Sequence, residues 1–218
     1  SSLTGVPLTR IVGGFFGTPE YGRLSGALET FHALPLYIED EAGQTVHQIR
    51  AACRRMKAEH GLDMVIIDYI QLIPGSLERR GANRNEELTD ISRRLKWLSR
   101  ELDIPVHAAS QLRRLDGRFG PQRPRIEDLR ECGALEQDAD TVILLHRKHH
   151  GESGLTEIIL AKQRNGATGT VYLYFDRDIS TFRDATPDEI DAISKKPAAV
   201  ESEGEGAPAR WPRRRRSY

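Results

Sequence analysis

Leu88, Ile91, Leu95, Leu98 and Leu102 recur at alternating spacings of three and four, and Arg93, Arg94, Lys96, Arg100 and Glu101 fall mostly off that stripe. The pattern predicts a helix over residues 85–102 with one face laid on other apolar structure. Two short apolar runs flank it, "MVIID" (Met64–Asp68) and "IPVHAAS" (Ile104–Ser110, with Pro105 near its start). Both are too short for helices and read as strands. A strand, an amphipathic helix and a second strand in succession point to an α/β fold.

The flanking sequence extends this pattern. "LPLYIED" (Leu34–Asp40), "TVILLHR" (Thr141–Arg147), "TEIILAK" (Thr156–Lys162) and "TVYLYFD" (Thr170–Asp176) also read as strands. Several are nearly continuous apolar runs, which predicts strands covered on both faces. Helices are expected from Thr18 to Ala33 and from Thr45 to His60. In the latter, Thr45 and Gln48 form a capping box, Val46, Ile49, Cys53 and Met56 share a face, and Gly61 ends the helix. The last three strands are joined by short loops and should form hairpins. The expected fold is therefore a mostly parallel sheet flanked by helices, with hairpin strands at the carboxyl end. After Ile193 the chain becomes rich in Pro, Gly, Glu, Ala and Arg, which cannot bury a core. One domain over 1–193 and a disordered tail over 194–218 are expected.

The 218 residues carry 32 basic and 32 acidic side chains. From Lys195 onward there are 7 basic and 3 acidic residues, so the tail is +4 and the rest −4. No global basic field points to nucleic acid, and such contacts would have to be local. Cys53 and Cys132 form no CxxC pair, which argues against a disulfide framework or a zinc site and for a reducing interior. No apolar run approaches the roughly 20 residues of a membrane span. The chain opens "SSLTGVPLTR" without an initiator Met, as a piece of a longer protein would.

Four stretches offer chemistry. Asp68 ends an apolar strand, as the carboxylate that holds Mg²⁺ does in nucleoside triphosphatases; a plain turn cap fits the same position. Gln111 ends the next strand, where its amide could meet a phosphate or an attacking water, or lie in an ordinary loop. Lys162 and Arg164 stand two apart at a strand end, so their side chains point the same way. They could converge on one anion, with Asn165-Gly166 supplying the turn, or be two solvated cations on a hairpin. "RPRIEDLRECGALEQDAD" places Arg130, Glu131 and Gly133 in a Gly-containing segment that could grip a phosphate backbone. "HRKHH" (His146–His150) reads as a solvated basic loop.

These stretches, in this order, resemble the DnaB-type hexameric replicative helicases, which carry a RecA-like ATPase domain. "MVIIDYIQLI" looks like that family's Walker B strand. "ISRRLKWLSRELDIPVHAASQLRR" looks like its helix–strand–Gln segment. "RPRIEDLRECGALEQDADTVILLHR" resembles its DNA-binding loop, and "TEIILAKQRNGATGTVYLYF" its final motif. The resemblance covers residues 1–185. It implies a RecA-like P-loop NTPase core, truncated at its amino end, using ATP and Mg²⁺. Asp68 would support Mg²⁺, directly or through water, and Gln111 would sense the γ-phosphate. Lys162 and Arg164 would reach a neighbouring subunit's ATP. Arg130, Glu131 and Gly133 would hold single-stranded DNA. A homohexamer unwinding duplex DNA 5′→3′ at the replication fork follows, with primase and a loader as partners, in the bacterial cytoplasm or nucleoid.

No G-x-x-x-x-G-K-[ST] occurs in the 218 residues, nor any Gly-Lys dipeptide. That loop supplies the N–H cradle, the phosphate lysine and the Mg²⁺ hydroxyl. The chain alone is therefore expected to lack ATPase activity. Two other readings stand beside this one: a truncated, non-enzymatic helicase-like module that binds DNA or a helicase ring, and a RecA-like recombinase-type ATPase.

Overall fold

The computed structural model describes residues 1–75, 83–112, 123–147 and 154–194. The chain divides into two compact units, Ser1–Ala185 and Thr186–Tyr218.

The first unit is organised around a strand–helix–strand element. Strand β1 (Val65–Ile67) pairs in parallel with β2 (Val106–Ala108), in the register Val65↔Val106, Ile66↔His107 and Ile67↔Ala108. Helix α4 (Arg84–Leu102) runs between them in sequence. Every residue of its stripe is buried: Leu88, Ile91, Leu95, Leu98 and Leu102. They form one core with Ile70, Ile73 and Ile104 and with Val46 and Cys53 of helix α3 (Val46–Glu59). Val65, Ile67 and Val106 pack on that core from the sheet. Thr45 and Gln48 cap α3 reciprocally, with the Thr45 N–H donating to Gln48 Oε1 at 2.8 Å and the Gln48 N–H to Thr45 Oγ1 at 3.4 Å. At the other end of α4, Asp103 adopts the left-handed conformation at φ 50°, which Asp tolerates better than most residues.

A second, antiparallel sheet follows in the order β3 (Thr141–His146), β4 (Leu155–Gln163), β5 (Gly169–Asp176) and β6 (Thr181–Asp184). These are the expected hairpins with one strand more. A 3-10 segment (Ile126–Cys132) and helix α5 (Gly133–Asp138) precede β3. Val142, Leu144 and Ile159 form a second core, with Leu112, Ile126 and Leu129 packed against it.

Two expectations are corrected. The segment 34–40 forms no strand and is exposed throughout. A strand needs a partner for its backbone groups, and none of the described strands pairs with it. The apolar runs are also not covered on both faces. Ile66 in β1 is 71% exposed, and Ile143 and Leu145 in β3 are 56% and 59% exposed. Each sheet packs one face on a core, and no described element covers the other.

Helices α1 (Leu8–Gly13) and α2 (Thr18–His32) bury no residue. The unit's amino end is held by the Leu8 N–H, which donates to Asp178 O at 2.7 Å. In the second unit, helix α6 (Pro187–Ser194) is capped by Thr186, whose N–H donates to Glu189 Oε2 at 2.8 Å. The tail from 195 onward lies outside the described residues. Among the described residues no helix is long and apolar enough to cross a membrane.

Leu98 is 1% exposed at the centre of the α4 stripe. Replacing it by Ala removes buried apolar surface and leaves a cavity, so Leu98→Ala should cost about 2–5 kcal/mol in urea unfolding. The exposed Trp97, one position away on the same helix, should cost far less on replacement by Ala.

Candidate functional site

The predicted site residues fall into two groups that share no member, plus a third segment. The first group lies at the carboxyl ends of β1 and β2. The parallel ladder continues past both strands: the Ala109 N–H donates to Ile67 O and the Ile70 N–H to Ala109 O, each at 2.9 Å. Asp68 and Gln111 therefore leave neighbouring strands at the same sheet edge, where open α/β sheets bind ligands. Asp68 is exposed, so its carboxylate carries none of the desolvation cost expected at the end of a buried strand. Gln111 is exposed as well.

Beside Gln111 sits a residue that the sequence reading missed. Gln71 lies in a 3-10 turn (Ile70–Leu72) pinned by the buried Ile70. Its Nε2 donates to Ser110 Oγ at 3.0 Å and to Gln111 O at 3.2 Å, and its Oε1 accepts from the Gln111 N–H at 3.3 Å. The turn is tied to α4 by Arg84, whose Nη2 donates to Gln71 O at 2.7 Å and whose Nη1 pairs with Glu87 at 2.7 Å. The one signal available was a lone polar residue among the apolar neighbours of "DYIQLIPG".

The second group surrounds the start of β3. Lys162 and Arg164 point to the same side, as their spacing required, and both meet the segment 136–140. Lys162 Nζ donates to Glu136 O and, at 3.3 Å, to Gln137 O, closing the carboxyl end of α5. Arg164 Nη1 pairs with Asp140 Oδ1 at 2.9 Å, and the Arg164 N–H donates to Asp140 O at 2.8 Å. Asp140 also accepts from Lys96 of α4. The hydrogen bond from Lys96, helped by the charges of Lys96, Arg164 and Arg100, lowers the Asp140 carboxyl below its ordinary value. The two cations are thus held by groups of their own chain, although Arg164 remains half exposed. Asp140 and Lys96 had no sequence signal, because each acquires its role from tertiary contact.

The third stretch is helical where an open loop was expected. The Arg125 N–H donates to Asp128 Oδ2 at 2.7 Å at the entry of the 3-10 segment. Capping of this kind lets the short segment wind instead of staying open. Arg123 ties the entry to the antiparallel sheet, with Nε on Glu157 Oε2 at 2.5 Å and Nη2 on Thr170 Oγ1 at 2.8 Å. Gly133 is exposed and opens α5 in the right-handed helical region at φ −54°. The side chains of Arg130 and Glu131 lie outside the described residues, as do residues 148–153 with most of the "HRKHH" stretch.

The residues present fit a magnesium nucleotide in part. Asp68 offers a carboxylate and Gln111 an amide at one sheet edge. Among the described residues no group of three or more His, Cys, Asp or Glu could enclose a metal ion by itself, so substrate oxygens and water would have to complete its shell.

Residues 1–184 match the model of the DnaB-like helicase C terminal domain. The chain is 46% identical over 171 residues to the replicative DNA helicase DnaB of Geobacillus stearothermophilus, a match covering 76% of this chain and 37% of that protein. It is 41% identical over 187 residues to the replicative DNA helicase DnaB of Leifsonia xyli, covering 84% of this chain and 40% of the relative. The chain thus spans well under half the length of these relatives. Among solved structures, it resembles an isolated ATPase domain with a TM-score of 0.77 and 34% identity, over 85% of this chain and 68% of that one. It is equally similar, at a TM-score of 0.77 and 34% identity, to a DnaB-like replicative helicase studied for its interactions with primase, covering 85% of this chain and 46% of that one.

The Asp140 cluster carries a pH signature. A carboxyl lowered in the folded state contributes stability that is fully present above its unfolded value, about 3.9, and is lost as pH falls through the folded value. Because the pair with Arg164 is half exposed, Asp140→Asn should cost below about 1 kcal/mol at pH 7. In thermal melts the gap between wild type and variant should begin to narrow below about pH 4 and close only once pH has fallen through the lowered folded value.

Proposed function

The chain belongs to the DnaB-like helicase C-terminal domain family, and on that premise we propose that it forms part of a hexameric replicative helicase driven by ATP. The single observation that carries this reading is the pairing of β1 with β2, which brings Asp68 and Gln111 out at one sheet edge. Asp68 holds the magnesium ion of the nucleotide, directly or through water, and Gln111 meets the terminal phosphate. Bound magnesium would neutralise charge developing on the β- and γ-phosphoryl oxygens. The chain's own groups then have to orient the nucleotide and exclude stray water.

Lys162 and Arg164 act on the nucleotide of the neighbouring subunit. Two features support this. They belong to a group separate from Asp68 and Gln111, and their side chains converge on one side. A point-charge lysine and a forked guanidinium together suit a γ-phosphate. The route from their own-chain acceptors is short: a phosphate would replace the Asp140 carboxylate at Arg164 and the α5 carbonyls at Lys162. Arg130, Glu131 and Gly133 contact the backbone of single-stranded DNA inside the ring, and unwinding runs 5′→3′ with primase and a loader as partners. The absence of a glycine-rich phosphate loop from these 218 residues makes the isolated chain inactive in this account.

The trans assignment is tested in the intact helicase. Lys162→Ala and Arg164→Ala should each lower ATP turnover by about 10³-fold or more, as loss of an arginine finger does, with ATP affinity little changed. Turnover and equilibrium nucleotide binding are measured on the same preparations. Affinity lost together with turnover would place these residues in the chain's own nucleotide site and contradict the assignment.

A further inference from the structure

We propose that Gln71 is a positioning residue that sets the place of Gln111, through hydrogen bonds from its side-chain amide to both backbone groups of Gln111. The inference rests on the reading of Gln111 as the group that meets the terminal phosphate.

The paired part of β1 and β2 is only three residues long. Beyond Ala109 the ladder stops, because the chain after Asp68 turns away into the 3-10 segment and buries Ile70. Ser110 and Gln111 would then project from a very short strand with no neighbour on this side. The Gln71 carboxamide replaces the missing neighbour. A peptide group in a ladder presents one donor and one acceptor, and so does this amide: Nε2–H to Gln111 O at 3.2 Å and Oε1 from the Gln111 N–H at 3.3 Å. Nε2 also donates to Ser110 Oγ at 3.0 Å. The amide is planar, so these contacts fix the orientation of the Gln111 backbone as well as its distance.

Gln71 is itself held from behind. Arg84 donates to Gln71 O at 2.7 Å and to Ile73 O at 3.3 Å, and Glu87 orients the guanidinium at 2.7 Å. A continuous series of contacts thus runs from the first turn of α4, through the turn, to the base of Gln111. Asp68 lies three residues before Gln71 on the same short stretch. Beyond the ladder that pairs their strands, the Gln71 side chain is therefore what ties the base of Gln111 to the stretch that carries Asp68. An exposed side chain such as Gln111 is useful in a reaction only if its base is rigid, because a displacement of about 1 Å can cost about 10²-fold in rate.

The test is a double-mutant cycle in the intact helicase, using Gln71→Met, which keeps length and volume and removes both polar atoms, and Gln111→Ala. Gln71→Met should lower kcat for ATP by about 10- to 100-fold and leave KM within about twofold, the pattern of an interaction made mainly in the transition state. The double variant should be no slower than Gln111→Ala alone, since Gln71 acts only through Gln111. Multiplied losses in the double variant, or an unchanged kcat in Gln71→Met, would overturn the inference while leaving the role of Gln111 intact. An unchanged kcat in Gln111→Ala would overturn that role and the inference with it. Thermal melting is followed in parallel. If Gln71→Met does not fold, Gln71→Asn, which keeps the amide but shortens its reach, goes through the same cycle with the same two outcomes.

Discussion

The packing of the α4 stripe against β1 and β2 is the constraint from which the rest of the molecule follows. Two parallel neighbours cannot be joined by a tight turn, so a helix must cross between them and bury its face on the sheet. Once Leu88 to Leu102 are buried, the other faces of α4 have fixed positions. Its first turn presents Arg84 to the 3-10 turn that carries Gln71. Its middle presents Ser92, whose Oγ donates to Asp138 Oδ2 at 2.8 Å, and Lys96, which donates to Asp140. One helix therefore holds both groups of candidate site residues, one near its amino end and one along its side.

This arrangement explains what could be read from the residue order. The α4 stripe, the capping box of α3 and the strand runs at 64–68 and 104–110 are local patterns, and each formed the expected element. The pointing of Lys162 and Arg164 to one side was also legible, since spacing along a strand fixes it. The segment 34–40 was not, although its residues favour extended structure. Strand formation depends on a partner, and composition says nothing about whether one is present. β6 was missed for a related reason: "TFRD" is four residues long and forms a strand only because β5 offers it an edge.

Gln71 and Asp140 were hard to find for a different reason. Asp140 looks like an ordinary polar surface position, and Gln71 offers only its place among apolar neighbours, which does not say what it touches. Gln71 matters because of Ser110 and Gln111, 39 and 40 residues away, and Asp140 because of Lys96, 44 residues away. The family resemblance pointed to the residues expected to touch nucleotide or DNA. The contacts that hold those residues in place emerge only when the folded chain brings them together. Asp140 also holds Arg164 in a half-exposed pair, an interaction of a kind worth little in free energy.

The central claim is that Asp68 serves the magnesium nucleotide at the edge formed by β1 and β2. The most direct measurement is magnesium-dependent ATP hydrolysis by the intact helicase carrying Asp68→Ala, followed alongside its thermal stability. The account predicts hydrolysis reduced by at least about 10²-fold, with stability nearly unchanged because the carboxylate is exposed. Hydrolysis at the wild-type rate in a folded Asp68→Ala protein would contradict it.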